Sequence, residues 1–181
     1  MKKRILLSLI ISLIYTVGKS QTASVEKSTY GIQTGLLGIW VHNEMKLTNQ
    51  IALRTEFGVN ASIFGGNFYP KTGFLMTPVI SVEPRWYYNL EKRLSKSKSI
   101  SGNSGNFVSL QTSYHPDWFV ISNYDNLKTF NLITIIPTWG IKRNIGKHFT
   151  YETSIGVGYG YQFRGEYDDV NGIAIDLNLR I

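Results

Sequence analysis

From His148 to Phe163 the chain reads HFTYETSIGVGYGYQF, and its positions alternate strictly. One parity carries Phe149, Tyr151, Thr153, Ile155, Val157, Tyr159, Tyr161 and Phe163; the other carries His148, Thr150, Glu152, Ser154, Gly156, Gly158, Gly160 and Gln162. A period of two marks a β-strand whose faces meet different surroundings. The same pattern runs through Ile51–Phe64, where Arg54, Glu56, Gly58 and Asn60 oppose Leu53, Thr55, Phe57 and Val59, and through Ile173–Ile181, where Asp176, Asn178 and Arg180 oppose Ile175, Leu177 and Leu179. In FLMTPVISVEPRWYYN, Met76, Pro78, Ile80, Val82, Pro84, Trp86 and Tyr88 face away from Thr77, Ser81, Glu83, Arg85 and Asn89. Pro78 and Pro84 lack ladder donors, so bulges are expected there.

Further strands are predicted at NFVSLQTSY, at FNLITIIPTWGI and at TYGIQTGLLGIWV, whose outward parity the pattern leaves open. No helical period competes, so the chain reads as all-β. That makes seven strands. A closed barrel of the outer-membrane type takes an even number, and DWFVISNY, Asp117 to Tyr124, is the candidate for the eighth, as a short strand or as a continuation of the one before it. The connections, including LEKRLSKSKSISGNSGN and the acidic RGEYDDVNG, read as solvent-exposed turns.

Alternation alone fits a soluble barrel with its apolar face inward or a membrane barrel with that face outward. Aromatic residues at both ends of the His148–Phe163 run favour the second, because amphipathic rings sit well at an interface. Tyr151 and Tyr159 stand roughly 26 Å apart along a strand, or roughly 20 Å of depth once tilted, which suits an apolar band of about 25 Å. Phe149, Tyr151, Tyr159, Tyr161, Phe163, Trp86 and Tyr88 are the expected interfacial aromatics. The opposite face is small and sparsely charged, as a narrow filled interior requires. Arg54, Glu56, Glu83, Arg85, Glu152, Asp176 and Arg180 are expected to share that interior as a cross-strand ion network, since an unpaired buried charge is costly.

Export fits this picture. Lys2, Lys3 and Arg4 precede an apolar run from Ile5 to Val17 and small residues before Gln21, the pattern of a cleavable signal peptide over 1–20, leaving one domain over 21–181. Four of the 19 basic residues, Lys2, Lys3, Arg4 and Lys19, would leave with it, so 15 basic face 12 acidic residues and nucleic acid is not an expected partner. The chain has no cysteine, which excludes disulfides and thiolate metal sites.

Over nearly the whole mature chain, through GLLGIWV, SVEPRWYYNLEKR, SGNSGNF and PTWGIKRNIGKHFTYETSIGVGYGY, the sequence resembles the small, uncharacterised outer-membrane β-barrel proteins of Bacteroidetes. The resemblance implies a closed antiparallel transmembrane β-barrel of eight strands in the bacterial outer membrane, with lipid and the barrel-assembly machinery as partners and no transferable chemistry. One departure is the final residue, Ile181, where such barrels typically end in an aromatic.

Candidate chemistry is sparse. His42, His115 and His148 lie at no metal-ligand spacing, and no cofactor motif is complete. Glu166, Asp168 and Asp169 lack full calcium-loop spacing. His148, Thr150 and Glu152 alternate onto one face in an arrangement that resembles the lipid A deacylases among outer-membrane barrels. Those enzymes use Ser where Thr150 stands, and their site faces lipid rather than the interior. The expected function is therefore non-enzymatic, structural or ligand-binding through the loops rather than a pore. A lipid-modifying enzyme, or a secreted soluble barrel around an apolar ligand, is the alternative.

Overall fold

The computed structural model describes residues 22–35, 37–67, 70–125, 127–146, 148–165 and 167–181. The expected signal peptide lies outside them, as does Glu166 of the acidic loop. Nine strands follow in chain order: β1 (Ser28–Gly35), β2 (Gly38–Lys46), β3 (Ile51–Phe64), β4 (Gly73–Trp86), β5 (Asn106–His115), β6 (Ile121–Ser122), β7 (Asn131–Ile145), β8 (Phe149–Phe163) and β9 (Val170–Arg180). A short helix, α1 (Leu90–Leu94), and a 3-10 turn at Ser101–Asn103 stand between β4 and β5. The fold is all-β and every pairing is antiparallel.

The sheet returns on itself. Neighbours run β3-β2-β1-β9-β8-β7-β5-β4, and β3 pairs with β4 to complete a ring. β6 adds no further wall position: it pairs with β4 at Leu75↔Ser122 and Met76↔Ile121, in the line of β5 but out of its register. Pro116, which follows β5 directly, has no N–H to continue the ladder, so the strand breaks there and resumes as β6. Asp117–Tyr124 thus supplies a short strand that continues the one before it, within eight wall positions.

The strand missing from the sequence count lies elsewhere. TYGIQTGLLGIWV is two strands, a hairpin closed at Gly35↔Gly38 around residues 36 and 37. A two-residue hairpin reverses parity. Gln33 is buried on an odd position of β1, whereas Trp40 and Glu44 are buried on even positions of β2, which is why no single outward parity could be read there.

The expected bulges at Pro78 and Pro84 are absent, for the β3–β4 register runs unbroken from Ile51↔Trp86 to Phe64↔Gly73. The missing donors coincide instead with gaps on the other side of β4, which pairs with β5 around Ile80–Val82 and Arg85–Trp86 and with β6 at Leu75–Met76.

The first described residues, the turn at 47–50, the connection between β7 and β8 and the 87–105 segment gather at one end of the ring. Ala23, Val25, Ala52, Tyr87, Leu90 and Phe107 form a buried cluster there, with Leu94 and Ile100 packed against it. The 87–105 segment is therefore more than the solvated turn its composition predicts. Its Lys92, Lys96 and Lys98 are exposed, but Leu90, Asn103 and Ser104 are buried, and Asn103 Oδ1 accepts the Glu26 N–H at 2.7 Å. The opposite end carries the longer loops at 65–72, 116–130 and 164–169.

Candidate functional site

The inward parity of the strands puts charge at the heart of the ring. Register sets Arg54 beside Glu83 and Glu44, and Glu152 beside Lys142 and Arg180. Side chains of opposite sign therefore meet across neighbouring strands. Arg85 grips Glu152 with two N–H groups, at 2.8 Å and 2.7 Å, and donates to Glu83 at 2.7 Å. Arg54 donates to Glu56 at 2.7 Å and to Gln33 Oε1. Arg180 reaches the same Glu56 oxygen at 2.7 Å, and Lys142 reaches Glu44 at 2.7 Å.

Two hydroxyls add donors to the carboxylates, whereas Arg54 Nη1, Arg85 Nε and Gln33 Nε2 are buried without a hydrogen-bond partner among the described residues. Ser109 Oγ donates to Glu83 at 2.6 Å, and the Tyr87 hydroxyl to Glu44 at 2.6 Å. Burial and the adjoining Glu44 carboxylate hold the Tyr87 phenol well above the ordinary tyrosine range, so it remains a donor. The guanidinium groups lie on rings as well, Arg85 on Phe107 at 4.2 Å and Arg180 on Trp40 at 4.1 Å. Glycines make room for those rings: a Cβ on Gly140 would collide with Phe107, and one on Gly58 with Trp40. The bare positions on the inner face of the sequence pattern are the space these rings occupy.

Of the seven charges expected inside, six form this network. The seventh, Asp176, accepts from Asn178 Nδ2 and forms no ion pair among the described residues. Sequence reasoning missed Glu44, Lys142, Gln33 and Tyr87. Glu44 becomes inward-facing only once the β1–β2 hairpin is recognised, whereas Lys142 shares the parity of Thr138 and Gly140 and was legible in β7.

Above the network, toward the longer loops, lies a cavity of about 550 Å³. Glu56, Asp176 and Arg180 contribute to its charged floor, and Ser81, Gln111, Ser113, His115, Thr134 and Gln162 to its polar wall. It is of ligand-binding size. Nothing in it pairs a nucleophile with a base. Both Glu152 oxygens are held by Arg85, while His148 lies exposed in the β7–β8 turn, so the arrangement that resembled a deacylase is not assembled. Among the described residues no group of His, Asp or Glu is placed to hold a metal ion.

The outward face is apolar. Ile39, Val41, Phe57, Val82, Leu110, Ile135, Ile155, Val157, Ile175 and Leu177 are exposed. Trp86, Tyr88 and Phe149 are exposed toward the capped end, where Trp139 Nε1 donates to Tyr88 at 2.9 Å, and Tyr159 and Phe163 toward the other. Tyr151 and Tyr161 are half-buried. No protein-family model matches this chain, and no curated protein or solved structure matches it either.

Proposed function

We propose that the chain is an outer-membrane β-barrel protein of eight wall strands, exported by a signal peptide, that binds a ligand at its loop end without conducting. The observation that carries this is the inversion of polarity: a continuous apolar belt outside and a paired charge network inside. A soluble protein rarely exposes more than a few hundred Å² of contiguous apolar surface, whereas a lipid-facing barrel wall requires it. Grouping with the small Bacteroidetes barrels rests on the sequence resemblance alone, and lipid and the assembly machinery are the partners it implies.

The ion network and the cluster around Tyr87 and Phe107 obstruct the lumen at the capped end. The cavity above them opens toward the loops and has the size and polarity of a binding vestibule. Cell fractionation with a gel of unheated and heated samples tests the reading. Recovery in the outer membrane, a faster-running unheated band and no resolved conductance steps in a planar bilayer are the expected results. Recovery in soluble periplasm would overturn the membrane reading, and stable open-channel currents would overturn the closed lumen.

A further inference from the structure

The wall has a gap on one side. Gly35, at the tip of the β1–β2 hairpin, pairs with Arg180, the last residue of β9. Beyond that point the edge of β9 away from β8 runs from Leu179 to Val170 with no strand paired to it among the described residues, rising roughly 20 Å along the axis at a tilt of roughly 45°. On the hairpin's other side, Ala61 N–H donates to Leu37 O at 2.7 Å, and past it β3 is paired with β4 while no strand pairs its opposite edge among the described residues. The β3 and β9 edges are separated by the two positions the hairpin fills lower down, about 14 Å across.

Hydrogen bonding identifies which groups face this gap. Ile181 and Thr34 exchange both backbone bonds at 2.9 Å, so Ile181 turns its N–H and C=O toward β1. Alternation then points the same groups of Leu177, Ile175, Ile173 and Asn171 into the opening. The cavity reaches it: consecutive residues from Val170 to Leu177 line the cavity, whereas a strand within an unbroken wall presents one parity only. A second cavity of about 400 Å³ joins inward-facing Trp40 to outward-facing Trp139 and Ile155 past Leu37 and Leu177, so the wall is perforated at the hairpin tip. Ile173 is 81% exposed and Ile175 66%.

Resting on the membrane reading, we infer that this opening is a lateral window through which the chamber binds a single-chain amphiphile, its alkyl tail in the bilayer and an amine head group at Asp176. Backbone at membrane depth is tolerated only where protein or water satisfies it, so the β9 edge is the wet side of the opening, solvated from the chamber, and the head group enters along it. Leu37 at the hairpin tip, with Leu177 and Leu179, offers the tail an apolar sill. The head group follows from charge. Arg54, Arg85, Lys142 and Arg180 face Glu44, Glu56, Glu83 and Glu152 in the network, whereas Asp176 forms no ion pair among the described residues. It lines the chamber on the strand that borders the window. A lone added β-strand would not span a gap two strands wide.

The test uses full-length mature protein in lipid nanodiscs, with Trp86, Trp118 and Trp139 replaced by Phe so that Trp40, buried between chamber and window, reports alone. Dodecylamine brominated at mid-chain is titrated against Trp40 fluorescence, and dodecanoate brominated at the same position is the comparison. Saturable quenching by the amine is expected, weakened about tenfold or more by Asp176→Asn and by exchange of amine for carboxylate, as loss of a charged hydrogen bond predicts. Ala174→Phe, which fills the chamber without adding a second indole, should abolish it. Quenching that rises without saturation, or equally for both amphiphiles and for Asp176→Asn, overturns the inference. A heat-shift gel on the same sample separates the two readings: a folded, inserted barrel without saturable quenching removes the window alone, whereas failure to insert removes the membrane reading and the window with it.

Discussion

Arg85 illustrates how the interior balances its charges. Its guanidinium is shared between Glu152 and Glu83 and stacked on Phe107, so removing it strands two buried carboxylates. Arg85→Ala should lower unfolding stability by roughly 3–5 kcal/mol in urea titrations of the vesicle-inserted protein. Arg85→Met combined with Glu152→Leu and Glu83→Gln should cost less, because no carboxylate is left facing an empty site. Tyr87 gives a pH dependence. Its folded pKa is raised above the unfolded value of about 10, so the folded state keeps a proton that the unfolded state releases. Stability should hold through neutral pH and fall as the pH rises past about 10, and Tyr87→Phe should remove that alkaline loss while costing about 1–3 kcal/mol at pH 7 for the bond to Glu44. Parity alone made most of these charges legible as interior. It could not tell that Asp176 forms no ion pair among the described residues, because pairing depends on side-chain reach across the lumen rather than on position along a strand.

At the scale of elements, strands with one parity throughout were legible and those containing a turn were not. β3, β8 and β9 keep one residue alternation along their length, and β4 departs from it at Pro78, which is buried beside Val79. The β1–β2 hairpin hides because its turn falls in GLLG, where Leu37 is exposed and no Asn or Asp marks the reversal. An apolar turn suits the bilayer interior that the proposed reading places around it, so the same composition that concealed the hairpin is consistent with the proposed lateral window. The cap was misread for the opposite reason: Leu90, Leu94 and Ile100 are scattered among lysines and serines, and only α1 and the 3-10 turn bring them onto the Phe107 cluster. The outward parity of β8 carries a direct expectation. Val157→Arg places a charge near mid-strand on the outward face and, on the proposed membrane reading, should cost about 2–4 kcal/mol of folding free energy in vesicles, read from the urea midpoint. Gly140→Val, on the inner face of β7, should destabilise by about 1–3 kcal/mol through its clash with Phe107.

For the molecule as a whole, the architecture follows from closing eight wall positions around a core that is charged rather than apolar. Following the register once round the ring displaces the chain by about 12 residues. That stagger sets the steep tilt and leaves the short first hairpin ending partway up the wall. The central claim is that the outward face meets lipid. The absence of cysteine makes it directly testable, since one cysteine introduced at a time carries one nitroxide label. Labels at Ile155, Val157 and Ile175 in protein recovered from native membranes should collide freely with dissolved oxygen and hardly at all with a water-soluble nickel chelate. The reverse order at all three positions would mean that the apolar face meets water, and would contradict the account.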